Sequence, residues 1–203
     1  MFPEILNKNQ LELLPFLQKF KREFFLVGGT AIALQIGHRQ SIDFDFFKFS
    51  RINSKQIFEL IKKSNFTYKI VWNSSEQINI IVNEVNLTFL QYPFKIQANK
   101  NYKHLLRMPD LLTLAAMKAY TLGIRSKWKD YVDLYLIIKD YYSIDEICER
   151  ADTIFGELFS AKMFRLQLCY FDDIDYREPI NFIKTPLDEE VVRNYLIQVA
   201  TQI

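Results

Sequence analysis

Glycine is scarce in this chain. Of 203 residues five are glycine, and Gly28, Gly29 and Gly37 all lie between Val27 and His38. Permissive backbone is concentrated in that one window, which argues against incidental turns. Cysteine is scarcer still: Cys148 and Cys169 stand apart, with no Cys-x-x-Cys or Cys/His spacing. That excludes a zinc-ligand pattern and points to a reducing, cytoplasmic compartment. An excess of one charge is also missing. The 26 basic and 24 acidic residues leave a net charge of +2, so the chain is no polyanion-binding tail and nucleic acid would need a local patch. Two segments could supply one, Lys95, Lys100, Lys103 and Arg107, then Arg125, Lys127 and Lys129; each could equally be a solvated face. Long apolar runs are absent too. Lys118 interrupts the best candidate, and Met1-Phe2-Pro3-Glu4-Ile5 has neither the basic start nor the apolar core of a secretory leader. A cytoplasmic protein without membrane association is expected.

What is present is ordinary in bulk: 49% hydrophobic and 25% charged residues, with length for one large domain or two small ones around a proper core. Leu11, Leu13, Leu14, Phe16, Leu17 and Phe20 give an amphipathic first helix ending near Arg22. Phe24 to Val27 is a short buried strand broken at Gly28-Gly29, and residues 30–36 form an apolar helix closed by Gly37. From Ser41 to Phe49 the pattern alternates, with Asp43 and Asp45 on one face and Ile42, Phe44 and Phe46 on the other. A helix over residues 54–63 precedes strands near 66–72, 77–82 and 85–91, the last two joined at Asn83-Glu84.

Beyond residue 100 the pattern turns helical. Residues 109–122 start with Pro109 at a position suited to the first helical turn and stop at Gly123. Residues 127–139 form a second helix. Ser143-Ile144-Asp145-Glu146 is a capping box for a third, and Thr185-Pro186-Leu187-Asp188 starts the last. The expected architecture is α+β: a mixed sheet flanked by helices over residues 1–104, followed by a C-terminal helical bundle over residues 105–203.

Three groups of residues could do chemistry. Asp43 and Asp45, at i and i+2 on a strand, emerge on one face about 6.5–7 Å apart and can converge on a divalent ion. Flanking Phe44, Phe46 and Phe47 argue against a merely solvated edge. Gly28 and Gly29, entering a helix, offer free N–H groups to an anion, with Thr30 adding a hydroxyl; the alternative is a tight turn. The Gly-Lys-Ser/Thr ending of a Walker loop and the GxGxxG pattern are both missing. Lys118 lies in an apolar helix, where it either snorkels to solvent or reaches toward a phosphate. Asp130 and Asp133, three residues apart, share a helix face and could orient it, while Asp133 could instead pair with Lys129.

The run Gly28-Gly29-Thr30-Ala31, Leu34, Gly37-His38-Arg39, Ser41 and Asp43-Phe44-Asp45-Phe46-Phe47 resembles the signature of the AbiEii/AbiGii toxin family of nucleotidyltransferases. A second block resembles that family too: Asp110-Leu111, Ala116-Met117-Lys118-Ala119, Arg125 and Lys129-Asp130-Tyr131-Val132-Asp133-Leu134. The two blocks cover residues 24–49 and 109–138. The resemblance implies a polymerase-β-like nucleotidyltransferase fold with an appended helical domain. It implies Gly28, Gly29 and Thr30 around the triphosphate of an NTP, and Asp43 and Asp45 holding Mg²⁺ or Mn²⁺. Lys118 and Asp130 would complete the catalytic set, with Lys118 and Asp133 also on the nucleotide side. It further implies a toxin of a toxin–antitoxin or phage-defence system, with an RNA or tRNA acceptor and a cognate antitoxin protein as partners.

One position departs from the wider fold. Where a third carboxylate is often found on a later strand, this chain has Asn86, preceded by Glu84. An amide cannot act as a general base. Either the metal alone activates the acceptor, or Glu84, Asp130 or Asp133 substitutes, or the protein binds nucleotide with little turnover. A small-molecule (antibiotic) nucleotidyltransferase is a further alternative, disfavoured by the basic segment around Lys95 to Arg107.

Overall fold

Alternating burial organises the first part of the chain. The structure, a computed structural model, describes residues 1–202 and divides into two units, one from Met1 to Asp110 and one beginning at Leu111. In the first unit α1 (Lys8–Leu17) is opened by a capping box between Asn7 and Gln10. It continues as a 3₁₀ turn over Gln18–Phe20, so the expected helix tightens before Arg22. Then follow β1 (Phe25–Val27), α2 (Gly28–Ile36), β2 (Phe44–Lys48) and α3 (Ser54–Lys62). Next come β3 (Tyr68–Asn73), β4 (Gln77–Val82) and β5 (Val85–Gln91), and last β6 (Lys100–Tyr102) and β7 (Leu106–Met108).

Five strands form one mixed sheet in the order β1-β2-β5-β4-β3, in which only β2 and β5 run parallel. Asn83 and Glu84 both take positive φ, 49° and 63°, the geometry a two-residue hairpin turn needs. Phe44, Phe46, Leu87, Phe89, Ile78 and Ile80 face the core, each at most 2% exposed. Phe89 is its centre, with Phe46 stacked at 5.5 Å and Phe20 edge-on at 4.9 Å. Burying aromatic faces this fully is the main stabilisation of the unit. α1 and α3 add Leu13, Leu17, Ile57 and Ile61 to that core.

The hairpin of β6 and β7 was not legible in the sequence. Its turn, Lys103-His104, also takes positive φ without the Gly or Asn that marks such turns. It changes the meaning of the basic segment. Arg107 donates from Nε to the Lys21 carbonyl at 2.8 Å and from Nη2 to the Arg22 carbonyl at 3.3 Å. That guanidinium is a strut under the first unit.

The second unit is helical: α4 (Leu111–Leu122), α5 (Trp128–Asp140), α6 (Ile144–Phe155), α7 (Ala161–Leu168) and α8 (Glu189–Thr201). α4 starts two residues after Pro109, whose carbonyl instead accepts from Gln35 Nε2 at 2.9 Å; Pro109 therefore lies outside the first helical turn. The Ser143/Glu146 capping box is present and Asp188 caps α8. α4 and α6 pack through Tyr120 and Phe155, stacked at 4.2 Å. α7, which the sequence pattern did not show, sends Arg165 to the carbonyls of Val199, Ala200 and Gln202 at the end of α8.

Candidate active site

β2 sorts its side chains by face. Phe44, Phe46 and Lys48 are buried, and Asp43, Asp45 and Phe47 are half-buried on the other side. Asp45 stands opposite Val27 of β1 and Thr88 of β5. Asp43, just before the strand, accepts a hydrogen bond at Oδ1 from Asn86 Nδ2 of β5 at 2.9 Å. The residue in the third-carboxylate position is thus a donor that fixes Asp43. Glu84 lies on the hairpin turn, where its carboxylate accepts from Asn9 at 3.0 Å.

α2 follows β1 without a connecting turn, so Gly28-Gly29 is its first turn and not a turn ahead of it. Gly28 has φ of +70°, and a Cβ there would collide with Asp45 Oδ2. The Asp45 carboxylate therefore lies directly on the start of α2. That end carries N–H groups without intrahelical partners and the positive pole of the helix dipole, both favourable to an anion. At Gly29 a Cβ would lie 2.5 Å from Arg39 Nη2 and 3.3 Å from Ser41 Oγ. Arg39 is 4% exposed and donates to the Gln40 carbonyl at 3.0 Å. The glycine pair makes room for two side chains of opposite charge, a role for Arg39 that the sequence pattern did not reveal. Thr30 differs from expectation. Its buried hydroxyl donates to the Asp43 carbonyl and shares a 2.8 Å hydrogen bond with Ser41 Oγ. It ties α2 to the approach of β2 and so sets where Asp43 stands.

These contacts give an expected result. Gly28→Ala forces a left-handed backbone on a residue with a side chain and drives Cβ into Asp45, so stability should fall by about 1–3 kcal/mol. Gly29→Ala, at a position without positive φ, meets the end of the Arg39 side chain and Ser41 Oγ and should cost less. Thermal unfolding of the two variants checks the order.

A second cluster lies wholly in the second unit. Lys118 Nζ of α4 reaches Asp130 Oδ1 at 2.6 Å and Asp133 Oδ2 at 2.8 Å on α5. The lysine is 7% exposed and both aspartates are 0% exposed. Lys118 does not snorkel to solvent. Arg125 Nε lies 3.4 Å from Asp130 Oδ2, beyond good hydrogen-bond geometry for that oxygen. Lys129 pairs with Glu178, together with Lys127, and not with Asp133. Burial alone would raise the Glu178 carboxyl; the hydrogen bonds from Lys127 and Lys129 outweigh it and bring it to about 2. Burial pushes the Cys148 thiol up to about 11, which leaves it protonated at neutral pH and no nucleophile.

Asp43 and Asp45 suit a hard divalent ion. Among the described residues no group of three or more His, Cys, Asp or Glu could hold a metal, so a closed protein cage is excluded. Two carboxylates on an open face match Mg²⁺, which takes one or two carboxylates and completes its shell with water and substrate phosphates.

The sequence model of the family described as "Nucleotidyl transferase AbiEii toxin, Type IV TA system" matches residues 16–71, the stretch that holds α2, β2 and both aspartates. Over that stretch the chain is similar to the AbiEii nucleotidyltransferase family. An uncharacterized protein of Aquifex aeolicus is 27% identical over 174 residues, covering 83% of this chain and 82% of that protein. MenT4, a nucleotidyltransferase toxin of Mycobacterium tuberculosis, superposes with a TM-score of 0.61 at 12% identity, over 94% of this chain and 81% of that one. JHP933 of Helicobacter pylori gives 0.57 at 17% identity, over 96% and 91%. At such identities these structures show a shared fold, the α+β nucleotidyltransferase-like architecture. No helix of the described residues is long and apolar enough to cross a membrane.

That likeness gives the first cluster its context. Of the residues singled out from the sequence, Gly28, Asp43 and Asp45 converge at the start of α2, and Gly29 and Thr30 frame them. Lys118, Asp130 and Asp133 converge on one another.

Proposed function

We propose that this protein is an AbiEii-type nucleotidyltransferase that transfers a nucleoside monophosphate from an NTP to a hydroxyl of RNA, with tRNA as one acceptor, or of protein. The observation that carries the reading is the Asp45 carboxylate resting on the first residue of α2, with Asp43 beside it on the same open face. The free amides of that helix turn would bind phosphate oxygens, and Asp43 and Asp45 would hold Mg²⁺ or Mn²⁺. When bound, such an ion supplies charge neutralisation at the phosphates and activates the attacking oxygen. The acceptor oxygen attacks the α-phosphorus as its proton passes to solvent, the bond from that phosphorus to the bridging oxygen breaks, and pyrophosphate leaves. The residues contribute position and electrostatics, which supply most of the catalysis in phosphoryl chemistry. Asn86 orients Asp43 but cannot accept the acceptor's proton.

Incubation with α-phosphate-labelled NTPs, Mg²⁺ and total RNA tests the reading. Label in RNA or protein is expected; label in neither overturns it. A cytoplasmic location and a partner antitoxin belong to the same proposal, and relief of growth inhibition by a neighbouring gene product would support the latter.

The Asn86–Asp43 hydrogen bond favours one second reading, a module that binds Mg²⁺-NTP with little turnover. The two readings part at Asn86→Asp. If Asn86 limits turnover, a third carboxylate beside Asp43 should speed pyrophosphate release. If the site already turns over as built, the added like charge should leave the rate unchanged or lower it. Steady-state pyrophosphate release from the variant and the parent separates them.

A further inference from the structure

The face that carries Asp43 and Asp45 continues across the whole sheet. Thr88 of β5 stands opposite Asp45, Asn79 of β4 opposite Thr88, and Trp72 of β3 opposite Asn79. Residues paired across strands share a face, so Asp45, Thr88, Asn79 and Trp72 form one row. An adjacent row runs from Asp43 through Asn86 and Ile81 to Lys69. Three strand spacings put Trp72 about 14 Å from Asp45.

Trp72 is on this face because of a bulge. It lies three positions beyond Lys69, and in a regular strand that spacing sends two side chains to opposite faces. The register of β3 on β4 shifts between Ile70 and Trp72, which returns Trp72 to the face of Lys69 and the aspartates. Bulges commonly re-aim a side chain next to a site. The indole is left 58% exposed on an edge strand whose every residue is exposed, a costly way to leave a tryptophan unless something covers it.

On this face the edge is cationic through Lys69. From Leu60 to Ser75 the chain carries Lys62, Lys63 and Lys69 and no carboxylate. A flat aromatic with a lysine on its own face, reached across a strip of amides and hydroxyls, is the chemistry that holds single-stranded nucleic acid. Bases stack on the ring and phosphates meet the ammonium groups. A second copy of this chain would bring another Lys69 to the same edge, and like charges oppose that pairing.

We infer that this face is the track for a single-stranded RNA acceptor. Trp72 stacks a base a few nucleotides from the reacting end, Lys69 meets the backbone, and the row through Asn79 and Thr88 leads the strand to Asp45. The inference rests on the nucleotidyl-transfer reading and supplies what that reading lacks, the position of the acceptor.

Binding of a fluorescein-labelled oligo-uridine about ten nucleotides long, followed by anisotropy, tests it. Trp72→Ala should weaken binding by about tenfold or more, the effect of losing one base stack, and Trp72→Phe should restore most of it. Lys69→Ala should reduce the salt dependence by about one phosphate contact. Equal affinity for wild type and Trp72→Ala, or no binding by wild type, overturns the track. A wild-type dimer in sedimentation that Trp72→Ala turns into monomer also overturns it and makes the edge a self-interface. If Trp72-dependent binding is found without nucleotide transfer, the transfer reading fails and the track stands. If transfer to RNA proceeds equally well in Trp72→Ala, the track fails and the transfer reading stands.

Discussion

Lys118→Met should lower stability by about 3–5 kcal/mol, the usual cost of breaking a buried ion cluster, and the melting temperature by roughly 10 °C. The substitution removes an ammonium 2.6 Å from Asp130 and 2.8 Å from Asp133 and leaves two fully buried carboxylates facing each other. The partially exposed Arg125 reaches Asp130 from 3.4 Å and compensates little. The triple variant Lys118→Met, Asp130→Asn, Asp133→Asn should regain much of that loss, because neutral buried groups of similar shape no longer carry the desolvation penalty. Calorimetric unfolding of the two variants checks both statements. The triple variant also separates two roles. A lysine that only holds α4 to α5 leaves a folded triple variant able to transfer nucleotide. A lysine that also serves the nucleotide leaves a folded but inactive one.

Asp45→Asn should reduce nucleotide transfer by about 10²–10³-fold or more, the scale seen when one electrostatic group of a preorganised site is lost. The amide keeps the shape against Gly28, so the fold should survive. Stability should hold or rise slightly, since one of two neighbouring negative charges disappears. Label transfer measured beside thermal unfolding distinguishes lost chemistry from lost structure. A variant that unfolds would leave its inactivity without mechanistic meaning, and Asp43→Asn, which keeps a partner for Asn86, then serves in its place.

Local patterns in the sequence carried much of this far. The alternation around Phe44 and Phe46 placed Asp43 and Asp45 on one face, and the sheet keeps them there. The scarcity of glycine marked the α2 entrance, because few other residues tolerate a φ of +70°. Long-range relations were another matter. That Gly28 makes room for Asp45, and Gly29 for Arg39, depends on how β2 pairs with β1, and no local pattern encodes that register. Thr30 read as a ligand because a hydroxyl at a helix start so often is one; here the carbonyl of Asp43 claims it. Lys118 was ambiguous for the same reason, since an apolar helix with one lysine fits both a snorkelling side chain and a buried ion pair until its partners are known. The bulge that brings Trp72 onto the aspartate face flips a side chain without altering the strand-like composition around it.

The central claim is that Asp43, Asp45 and the start of α2 together form a site for a divalent ion with a nucleoside triphosphate. Thermal unfolding with and without Mg²⁺-NTP, on the wild type and on Asp45→Asn, tests it most directly. The wild type should gain about 2.7 kcal/mol when ligand stands at a hundredfold over its dissociation constant, and the gain should vanish when Mg²⁺ is chelated and in Asp45→Asn. An equal gain in both proteins, or a gain that persists without divalent ion, would contradict the account.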